Sequence, residues 1–199
     1  MLYTNFDTQK NVLALENWTY QNQIFSNEEC DQIIEYAETL EEKYAMIGDM
    51  DNPINFDLRK SKVSWIDPNN DSNWIFDRML YYADMHNAMY YRFNMIGCNS
   101  IQYTKYKKKK HKYDVHVDYH VDEGKQLVRK LSAVLFLSDP SEYEGGKFQI
   151  IAKDSCYTTV EQKRGTIIFF PSFFLHRVTP VTSGTRRSLV MWIMGPPFV

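Results

Sequence analysis

The second half of the chain, from about residue 99 onward, consists of short segments that are rich in β-branched and aromatic residues. Turn-forming sequences such as DPSEYEGG, KRG and TSG separate these segments. Several short strands at near-regular spacing are typical of an antiparallel β sandwich or barrel. We therefore expect a β core over residues 99–199. The segments predicted as strands are SIQYTKY, YDVHVDYHV, KLSAVLFLS, GKFQIIA, YTTVEQ, GTIIFFP, HRVTPV and RRSLVMWIM.

The first half of the chain carries the signals of helices. Ser26 and Glu29 have the spacing of a capping box, which is a frequent helix start. An apolar stripe at helical spacing follows these two residues, and it predicts a helix over residues 26–44. The members of the stripe are Cys30, Ile33, Ile34, Ala37 and Leu40.

A second helix is predicted from about Asn73 to Tyr91, because apolar residues again recur at helical spacing. We expect both helices to pack against one outer face of the sheet. The result is an α+β fold with a single domain over residues 1–199, in which 1–98 is mainly a helical support region and 99–199 is the β core. The inward positions of the second helix are Phe76, Met79, Leu80 and Ala83.

The composition argues against several classes of protein. The chain has 23 basic and 25 acidic side chains, whereas nucleic-acid-binding domains usually have a clear positive excess. The three cysteines form no CxxC pair, so we expect buried, reduced thiols and neither a disulfide framework nor a zinc–thiolate site. The chain has no apolar run of about 18 residues and no signal-like start, so we expect a cytoplasmic protein without a membrane segment.

The sequence HVDYHVD, residues 116–122, contains the same three-residue pattern twice. The two pairs are His116 with Asp118 and His120 with Asp122. A histidine and an aspartate two positions apart point to one face of an extended chain, so each pair offers a nitrogen and an oxygen to a metal ion. From the spacing alone, either pair is a candidate metal site.

A third ligand is sought among the other histidines. His86 lies on the second predicted helix, where a surface or core role is favoured, and His111 lies in a lysine run and is expected to be solvated. His176 opens a strand about sixty residues after the doublet, where two β layers could bring it close to the first two ligands. Two histidines and one carboxylate with open coordination positions form the facial triad of non-haem Fe(II) oxygenases.

Arg186 lies ten residues after His176, at the head of the apolar segment SLVMWI. A guanidinium at the inner end of a buried strand needs an anionic partner and binds a carboxylate bidentately. In an iron oxygenase that takes electrons from a cosubstrate, this partner is the distal carboxylate of 2-oxoglutarate. The alternative is that Arg186 or Arg187 pairs with a structural acid.

Together, these segments resemble the 2-oxoglutarate- and Fe(II)-dependent dioxygenases, in particular the prolyl 4-hydroxylase and PKHD-type branch. YDVHVD is similar to the branch's Tyr-x-x-His-x-Asp signature, and RKLSAVLFLSDPSEYEGGKFQI is similar to its Arg-x-x-Ser strand and Tyr-x-Gly-Gly turn. GTIIFFPSFFLHRVTPVTSGTRRSLVMWI resembles its closing strands, and IFSNEECDQIIEYAE resembles its helix-opening segment. The resemblance implies a double-stranded β-helix, that is, a cupin-like jelly roll.

The resemblance also distinguishes the two halves of the doublet. Tyr113 stands three residues before His116, as in the signature, whereas Val117 stands three residues before His120. The first pair is therefore the expected metal pair. His120 and Asp122 are expected on a loop after the ligand strand, as substrate-facing, supporting or solvated groups.

The resemblance implies a role for each matched residue. Tyr106 lies close to where the family has a tyrosine that bonds the cosubstrate, although it could equally be a packed strand tyrosine, and Tyr113 is expected to border the pocket. Phe148, Phe169 and Trp192 are considered as walls of the site, but ordinary core positions are favoured, as is usual for strand aromatics. The implied iron ligands are His116, Asp118 and His176, and Arg186 is the implied ligand of the distal carboxylate of 2-oxoglutarate.

The implied activity is hydroxylation of a protein or peptide side chain, with prolyl as the first expectation. Fe(II), 2-oxoglutarate and O2 are the implied cofactor and cosubstrates, ascorbate is a supporting reductant, and succinate and CO2 are the products. The alternatives are the same chemistry on a nucleic acid or a small molecule, and a non-catalytic module that binds metal or 2-oxoglutarate. The oligomeric state stays open.

The chain departs from the family in the segment KYKKKKHKYD, where a short glycine-containing turn is usual. Six lysines lie within Lys105–Lys112. A lysine run is usually solvated, but it could also form a positive lip that steers an acidic peptide or a nucleic acid towards the iron.

Overall fold

The computed structural model describes residues 16–47, 54–108, 110–151 and 156–198. In these residues, helix α1 spans Asn27–Glu38 and α2 spans Asn73–His86, and a π-helical turn over Asn87–Tyr91 continues α2. A short 3₁₀ turn spans Pro140–Glu142. The strands are Thr19–Gln21 (β1), Lys43–Tyr44 (β2), Arg59–Lys60 (β3), Lys62–Ile66 (β4), Ile101–Lys107 (β5), Lys112–His116 (β6), Val121–Asp122 (β7), Leu127–Phe136 (β8), Tyr143–Gly145 (β9), Phe148–Ile151 (β10), Tyr157–Thr159 (β11), Ile167–Pro171 (β12), His176–Val178 (β13) and Val181–Gly195 (β14).

The described strands form two antiparallel sheets that pack face to face. The larger sheet has the order β1-β12-β8-β14-β5-β4-β2, with β7 paired to β8 and β9 paired to β14. The smaller sheet has the order β11-β10-β13-β6-β3. Because strands that are distant in sequence become neighbours in both sheets, the chain crosses repeatedly between them, as a jelly roll requires. The predicted α+β class with a jelly-roll core is confirmed.

Strand β8 separates two hydrophobic layers. Ala133 and Leu135 face the helices, whereas Val134 and Phe136 face the smaller sheet, as alternation along a strand dictates. Both faces of this strand are therefore buried, which explains its uninterrupted apolar sequence. The helix-side layer also contains the inward residues Cys30, Ile33 and Ala37 of α1 and Phe76, Met79 and Ala83 of α2.

The start of α1 is confirmed, but its predicted end is wrong. The Glu29 amide donates to Ser26 Oγ (3.2 Å), and the Ser26 amide donates to Glu29 Oε2 (2.8 Å). The helix ends at Glu38, where Thr39 caps it, and not at residue 44. Lys43 and Tyr44 instead pair with β4, because a partner strand supplied from farther along the chain outweighs local helical pattern.

Other elements differ from expectation in detail. The predicted second helix reaches Tyr91 as expected, with its last turn π-helical. The predicted strand YDVHVDYHV breaks after His116, and β7 is a separate two-residue strand. Cys30 is buried and Cys98 half-buried, but Cys156 is exposed, which contradicts the expectation for that thiol. No helix in the described ranges is long and apolar enough to cross a membrane.

Candidate active site

Two histidines meet across neighbouring strands of the smaller sheet. His116 ends β6 and His176 begins β13, and the two residues are paired in register. His116 Nδ1 bonds the Asp114 carbonyl oxygen (2.7 Å), and His176 Nδ1 bonds the Phe174 carbonyl oxygen (3.0 Å). A carbonyl oxygen only accepts, so each Nδ1 carries the proton and each Nε2 keeps a lone pair. Both rings are therefore oriented as metal ligands usually are.

Asp118 lies just after β6 and completes the cluster. Its amide donates to the Ser172 carbonyl oxygen (2.9 Å), which turns the carboxylate towards the imidazoles. Asp118 Oδ1 lies 3.6 Å from His116 Nε2, and Oδ2 lies 3.5 Å from His176 Nε2. One ligand atom from each of the three residues lies within 4.8 Å of the others. Ser132 Oγ donates to Oδ2 (2.8 Å) and fixes the carboxylate.

The protonation states of this cluster suit a divalent cation. Burial opposes ionisation of Asp118, but the charges of both histidines and the bonds from His116 and Ser132 hold its pKa well below the usual range. Burial lowers the pKa of His176 to about 4. At neutral pH the cluster therefore presents a carboxylate and a neutral imidazole, the ligand forms that a metal needs.

The metal-free protein is expected to lose stability as pH falls from about 6.5 towards about 4. In this window the unfolded chain protonates His176, whereas the folded protein does not, so stability present above pH 6.5 is lost as pH decreases. The expected loss from this residue is about 3 kcal/mol. Urea unfolding with a chelator, at several pH values, measures it. His176→Gln should flatten the profile, and an unchanged profile would contradict the assignment.

The second half of the doublet does not join the cluster. His120 is exposed at the mouth of the cavity, and the Asp122 carboxylate accepts the Lys125 amide (3.1 Å). Asp122 lies in β7, and not on a loop as expected, because it pairs with Leu127 of β8. The chain leaves the regular extended path after His116, and so the alternation that would place all four side chains on one face ends there.

The histidine–aspartate cluster opens into a cavity of about 380 Å³ between the two sheets. Arg186 of β14 lines the same cavity and is 2% exposed. Its Nε donates to Gln162 Oε1 (2.8 Å) and its Nη1 donates to Ser188 Oγ (3.2 Å). Its buried Nη2 has no hydrogen-bond partner among the described residues. A buried guanidinium with an unused N–H edge fits the carboxylate of a bound ligand.

Gly146 is the second residue of the Gly145-Gly146 turn, and it lies against the Arg186 side chain. Its φ is +57°, and a Cβ at this position would lie 3.0 Å from Arg186 Cδ and 2.9 Å from Val181 Cγ2. Any other residue would strain the turn and press on the arginine side chain. The turn therefore helps to hold the guanidinium in place.

Tyr106 and Tyr113 both line the cavity. Tyr106 is paired in register with Arg186, and the Arg186 guanidinium carbon lies 5.4 Å from its ring centroid. The Tyr113 ring stacks on His116, with 3.4 Å between centroids and 15° between planes. Burial raises the pKa of both phenols, so each stays a hydrogen-bond donor at neutral pH.

Some residues at the cavity carry no sequence signal of their own. Arg59 of the edge strand β3 lines the cavity, and Gln162, which bonds Arg186, lies in an irregular segment. Arg129 of β8 also lines the cavity, and it is the arginine of the Arg-x-x-Ser segment. Of the three aromatic residues considered as walls, Phe148 and Trp192 line the cavity, whereas Phe169 packs in the helix-side layer. Phe169 faces the helices because side chains alternate along β12, so that Phe170, and not Phe169, points towards the smaller sheet.

Two of the five described lysines of the lysine-rich segment form ion pairs with acids. Lys105 Nζ lies 2.6 Å from Glu42 Oε1 and 3.4 Å from Glu38 Oε1, and Lys112 Nζ lies 2.6 Å from Asp114 Oδ2. The expectation that His111 is solvated is wrong. It is buried, because its carbonyl oxygen accepts the Val181 amide and thereby joins the segment to β14. Lys109 lies outside the described residues.

Comparison with known proteins points to one family. Residues 101–194 match the model of the family described as the 2OG-Fe(II) oxygenase superfamily. A PKHD-type hydroxylase of Crocosphaera subtropica is 40% identical over 96 residues, which are 48% of this chain and 42% of that protein. The chain thus spans less than half the length of this curated relative. The match to the family model lies in the β region.

Solved structures share the fold over almost the whole chain. A Pseudomonas putida prolyl-4-hydroxylase superposes with a TM-score of 0.69 at 21% identity, covering 91% of this chain and 94% of that chain. A Trichoplax adhaerens prolyl hydroxylase, solved in complex with a hypoxia inducible factor oxygen degradation domain peptide fragment, superposes with a TM-score of 0.72 at 13% identity, covering 94% and 86%. At these identities the likeness establishes the common double-stranded β-helix.

Proposed function

We propose, from the match of residues 101–194 to the model of the 2OG-Fe(II) oxygenase superfamily, that the protein is a hydroxylase that uses Fe(II), 2-oxoglutarate and O2. We propose protein or peptide side chains as its substrates, with prolyl first, and succinate and CO2 as its other products. We also propose that the chain acts as one domain, supported by the pairing of β1 with β12 and of β3 with β6. These pairs join the first half of the chain to both sheets.

One observation carries the proposal. Three potential ligand atoms, from His116, Asp118 and His176, converge in a cavity that also contains the partly unpartnered Arg186 guanidinium. The cluster supplies two nitrogens and one oxygen, which is the donor set of the facial triad. An isolated metal site would not require a buried arginine beside it, and a purely structural arginine would normally have all its polar atoms paired.

Different residues of the site would bind the metal and the cosubstrate. Fe(II) and 2-oxoglutarate, when bound, supply the oxidative decarboxylation that is coupled to hydroxylation. His116, Asp118 and His176 would hold the metal, and Arg186 would hold the distal carboxylate. The Asp114 and Phe174 carbonyl oxygens keep the imidazoles in the ligating tautomer.

Two further contacts support the binding groups. Ser132 Oγ, shared between Asp118 and Ser172 Oγ (2.9 Å), keeps the carboxylate in place. Phe148 packs against His176, with 5.6 Å between ring centroids, and shields this end of the cavity from water. Tyr106, protonated and buried beside Arg186, is placed to donate to the same carboxylate ligand. These residues thus provide geometry and a dry pocket around the metal.

The proposal for the substrate rests on the shape of the mouth and on the neighbouring enzymes. Exposed apolar and aromatic residues surround the entrance, a surface that accepts an extended peptide. The Trichoplax adhaerens structure contains a peptide fragment. Nucleic acid is less supported, because acids pair with Lys105 and Lys112. The residues at the entrance are Tyr44, Met46, Trp65, Val117 and Tyr119.

The test is formation of succinate from 2-oxoglutarate by purified protein with Fe(II), O2 and ascorbate. The expected result is slow turnover without substrate, lost on removal of iron by a chelator, and a faster rate with prolyl-containing peptides that gain 16 mass units. Absence of both succinate formation and 2-oxoglutarate binding would overturn the proposed function. Turnover without peptide hydroxylation would retain the chemistry and reject the peptide substrate.

Gln162→Glu is expected to raise the KM for 2-oxoglutarate about tenfold. The new carboxylate would form an ion pair with Arg186 Nε, in place of the 2.8 Å amide contact, and would compete with the cosubstrate. Steady-state succinate assays measure the effect, with kcat at saturation largely retained. Gln149→Glu is the matched control, because Gln149 makes the same 2.8 Å contact with Arg177 outside the cavity. An equal rise in both variants would contradict the prediction.

A further inference from the structure

Arg59 is a second buried guanidinium that faces the cavity. It lies on the edge strand β3 and is 7% exposed. Its Nη2 donates to Gln102 Oε1 (2.7 Å) and its Nε donates to Ser61 Oγ (3.1 Å). Its guanidinium carbon lies 4.4 Å from the centroid of Tyr113, the ring that stacks on His116. All these partners are neutral, so the charge is placed close to the metal cluster without being compensated there.

No carboxylate of the described residues forms an ion pair with Arg59. A buried charge normally has a partner, because the loss of hydration costs several kcal/mol. The cost is usually tolerated where a bound ligand supplies the missing charge. Neutral bonds alone therefore leave Arg59 unexplained as a structural residue.

The lining of the cavity as a whole carries more positive than negative charge. Its cationic lining residues are Lys43, Arg59, Arg129 and Arg186, whereas Asp118 is the one acid among the described lining residues. A divalent metal and a dicarboxylate cosubstrate balance each other, and Lys43 pairs with Glu41 (2.9 Å). Asp118 offsets one of the three remaining guanidiniums, those of Arg59, Arg129 and Arg186, so two positive charges stay uncompensated.

Arg129 stands near Arg59 on the opposite sheet. Its guanidinium carbon lies 3.9 Å from the Trp192 ring centroid, and its Nη1 is 3.4 Å from the Asp118 carbonyl oxygen. Burial lowers the pKa of Arg129 most, the negative charge of Asp118 opposes this shift, and the positive charge of Arg59 adds to it. Arg59 and Arg129 therefore repel each other, and an anion bound between them would relieve this repulsion.

We infer that the primary substrate carries a carboxylate on or beside the residue that is hydroxylated, and that Arg59, with Arg129, binds this carboxylate. The inference rests on the proposed function, because it assigns a substrate group to the same cavity. An acidic side chain beside the target residue and a free C-terminal carboxylate both supply this chemistry. In either case the substrate neutralises the charge that the enzyme alone leaves unbalanced.

The remaining donors favour a carboxylate over a phosphate. Arg59 donates from Nε to Ser61, from Nη2 to Gln102 and from Nη1 to the Met46 carbonyl oxygen (3.4 Å), so it presents only a narrow edge of free N–H groups to the cavity. A planar carboxylate is satisfied by such an edge, whereas a phosphate dianion needs more donors. The aromatic wall of Tyr113 and Trp192 also suits a flat or cyclic side chain beside the charged group.

The test compares two small probes that differ only in charge, N-acetyl-L-proline and N-acetyl-L-prolinamide. Calorimetry without oxygen, on protein loaded with Fe(II) and 2-oxoglutarate, measures their binding without reaction. The wild type is expected to bind the carboxylate at least about tenfold more tightly than the amide. Arg59→Gln is expected to remove this preference, and Arg59→Lys to retain part of it. Equal binding of the two probes, or binding of neither, would overturn the inference.

Arg177→Gln is the matched control. Arg177 also donates to a glutamine Oε1 (Gln149, 2.8 Å) and lies over a tyrosine ring (Tyr157, 3.7 Å), but it does not line the cavity. This variant should keep the preference for the carboxylate. Equal loss of the preference in Arg59→Gln and Arg177→Gln would show a general effect on folding and would reject the assignment.

Further probes distinguish the remaining outcomes. A peptide with Asp beside an internal proline and one with a C-terminal proline separate the two sources of the carboxylate. Tighter binding of inorganic phosphate than of either peptide would reject the carboxylate.

Asp49 and Asp51 lie outside the described residues. If a preference for carboxylate emerges only when both are replaced by Asn, the chain itself neutralises Arg59 and the inference fails. Failure of 2-oxoglutarate to bind in the same calorimeter would instead reject the proposed function.

Discussion

Replacing His116 by alanine is expected to reduce metal affinity and succinate formation more than 100-fold, whereas His120→Ala is expected to retain most of both. Groups that only support a metal ligand typically contribute 10- to 100-fold, so loss of a ligand itself should exceed that range. His116 Nε2 faces Asp118 at 3.6 Å, and its Nδ1 is already held by a carbonyl oxygen. His120 is exposed and lies outside the three-residue cluster.

The two variants form a matched pair, because each removes a histidine two residues before an aspartate. Equilibrium dialysis with Mn(II), a redox-stable substitute for Fe(II), measures metal affinity independently of turnover. Thermal unfolding of the metal-free variants checks that both are folded. Loss of binding in His120→Ala with retention in His116→Ala would place the metal in the second half of the doublet and contradict the assignment.

Arg186→Leu is expected to raise the KM for 2-oxoglutarate about 100-fold or more, with metal affinity unchanged. Removing one partner of a buried charge pair costs about 2–5 kcal/mol, because the other charge is left without compensation. Arg186 is 2% exposed, and the structure offers its Nη2 no hydrogen-bond partner from the described residues. Calorimetry with Mn(II)-loaded protein measures the binding of 2-oxoglutarate directly.

Arg187→Leu is the control for this prediction. Arg187 is the next residue on β14 and points to the opposite face, where its Nε lies 3.4 Å from Glu38 Oε1. Its loss should reduce stability slightly and leave 2-oxoglutarate affinity unchanged. An equal effect of the two substitutions on cosubstrate binding would mean that neither guanidinium contacts the cosubstrate specifically.

Patterns within short segments predicted much of the fold. The capping box at Ser26 and the strand KLSAVLFLS are encoded by neighbouring residues, and both are confirmed. The end of α1 could not be predicted in this way, because β2 forms through pairing with β4 about twenty residues later. His111 differs from the expectation for a similar reason: it is buried where its carbonyl oxygen accepts the amide of Val181, a residue far away in sequence.

In the candidate site, too, some residues are predictable from local sequence and others only from pairing with distant strands. Spacing and family resemblance selected His116, Asp118, His176 and Arg186, and the structure brings all four to one cavity, although their roles stay predictions. The burial of Arg59 is not predictable from its neighbours, because it lies in the basic, polar stretch RKSK, which is typical of an exposed segment. Only the pairing of β3 with β6 places it beside Tyr113.

The two ends of the cavity belong to different sheets. The histidines lie on β6 and β13 of the smaller sheet, and Arg186 lies on β14 of the larger sheet. A dicarboxylate held at one end by the metal and at the other by the guanidinium would act as a cross-link through the middle of the sandwich. Metal and cosubstrate would then bind with positive cooperativity, each tightening the site for the other by the same factor. Slow amide hydrogen exchange in both sheets would accompany the doubly occupied state.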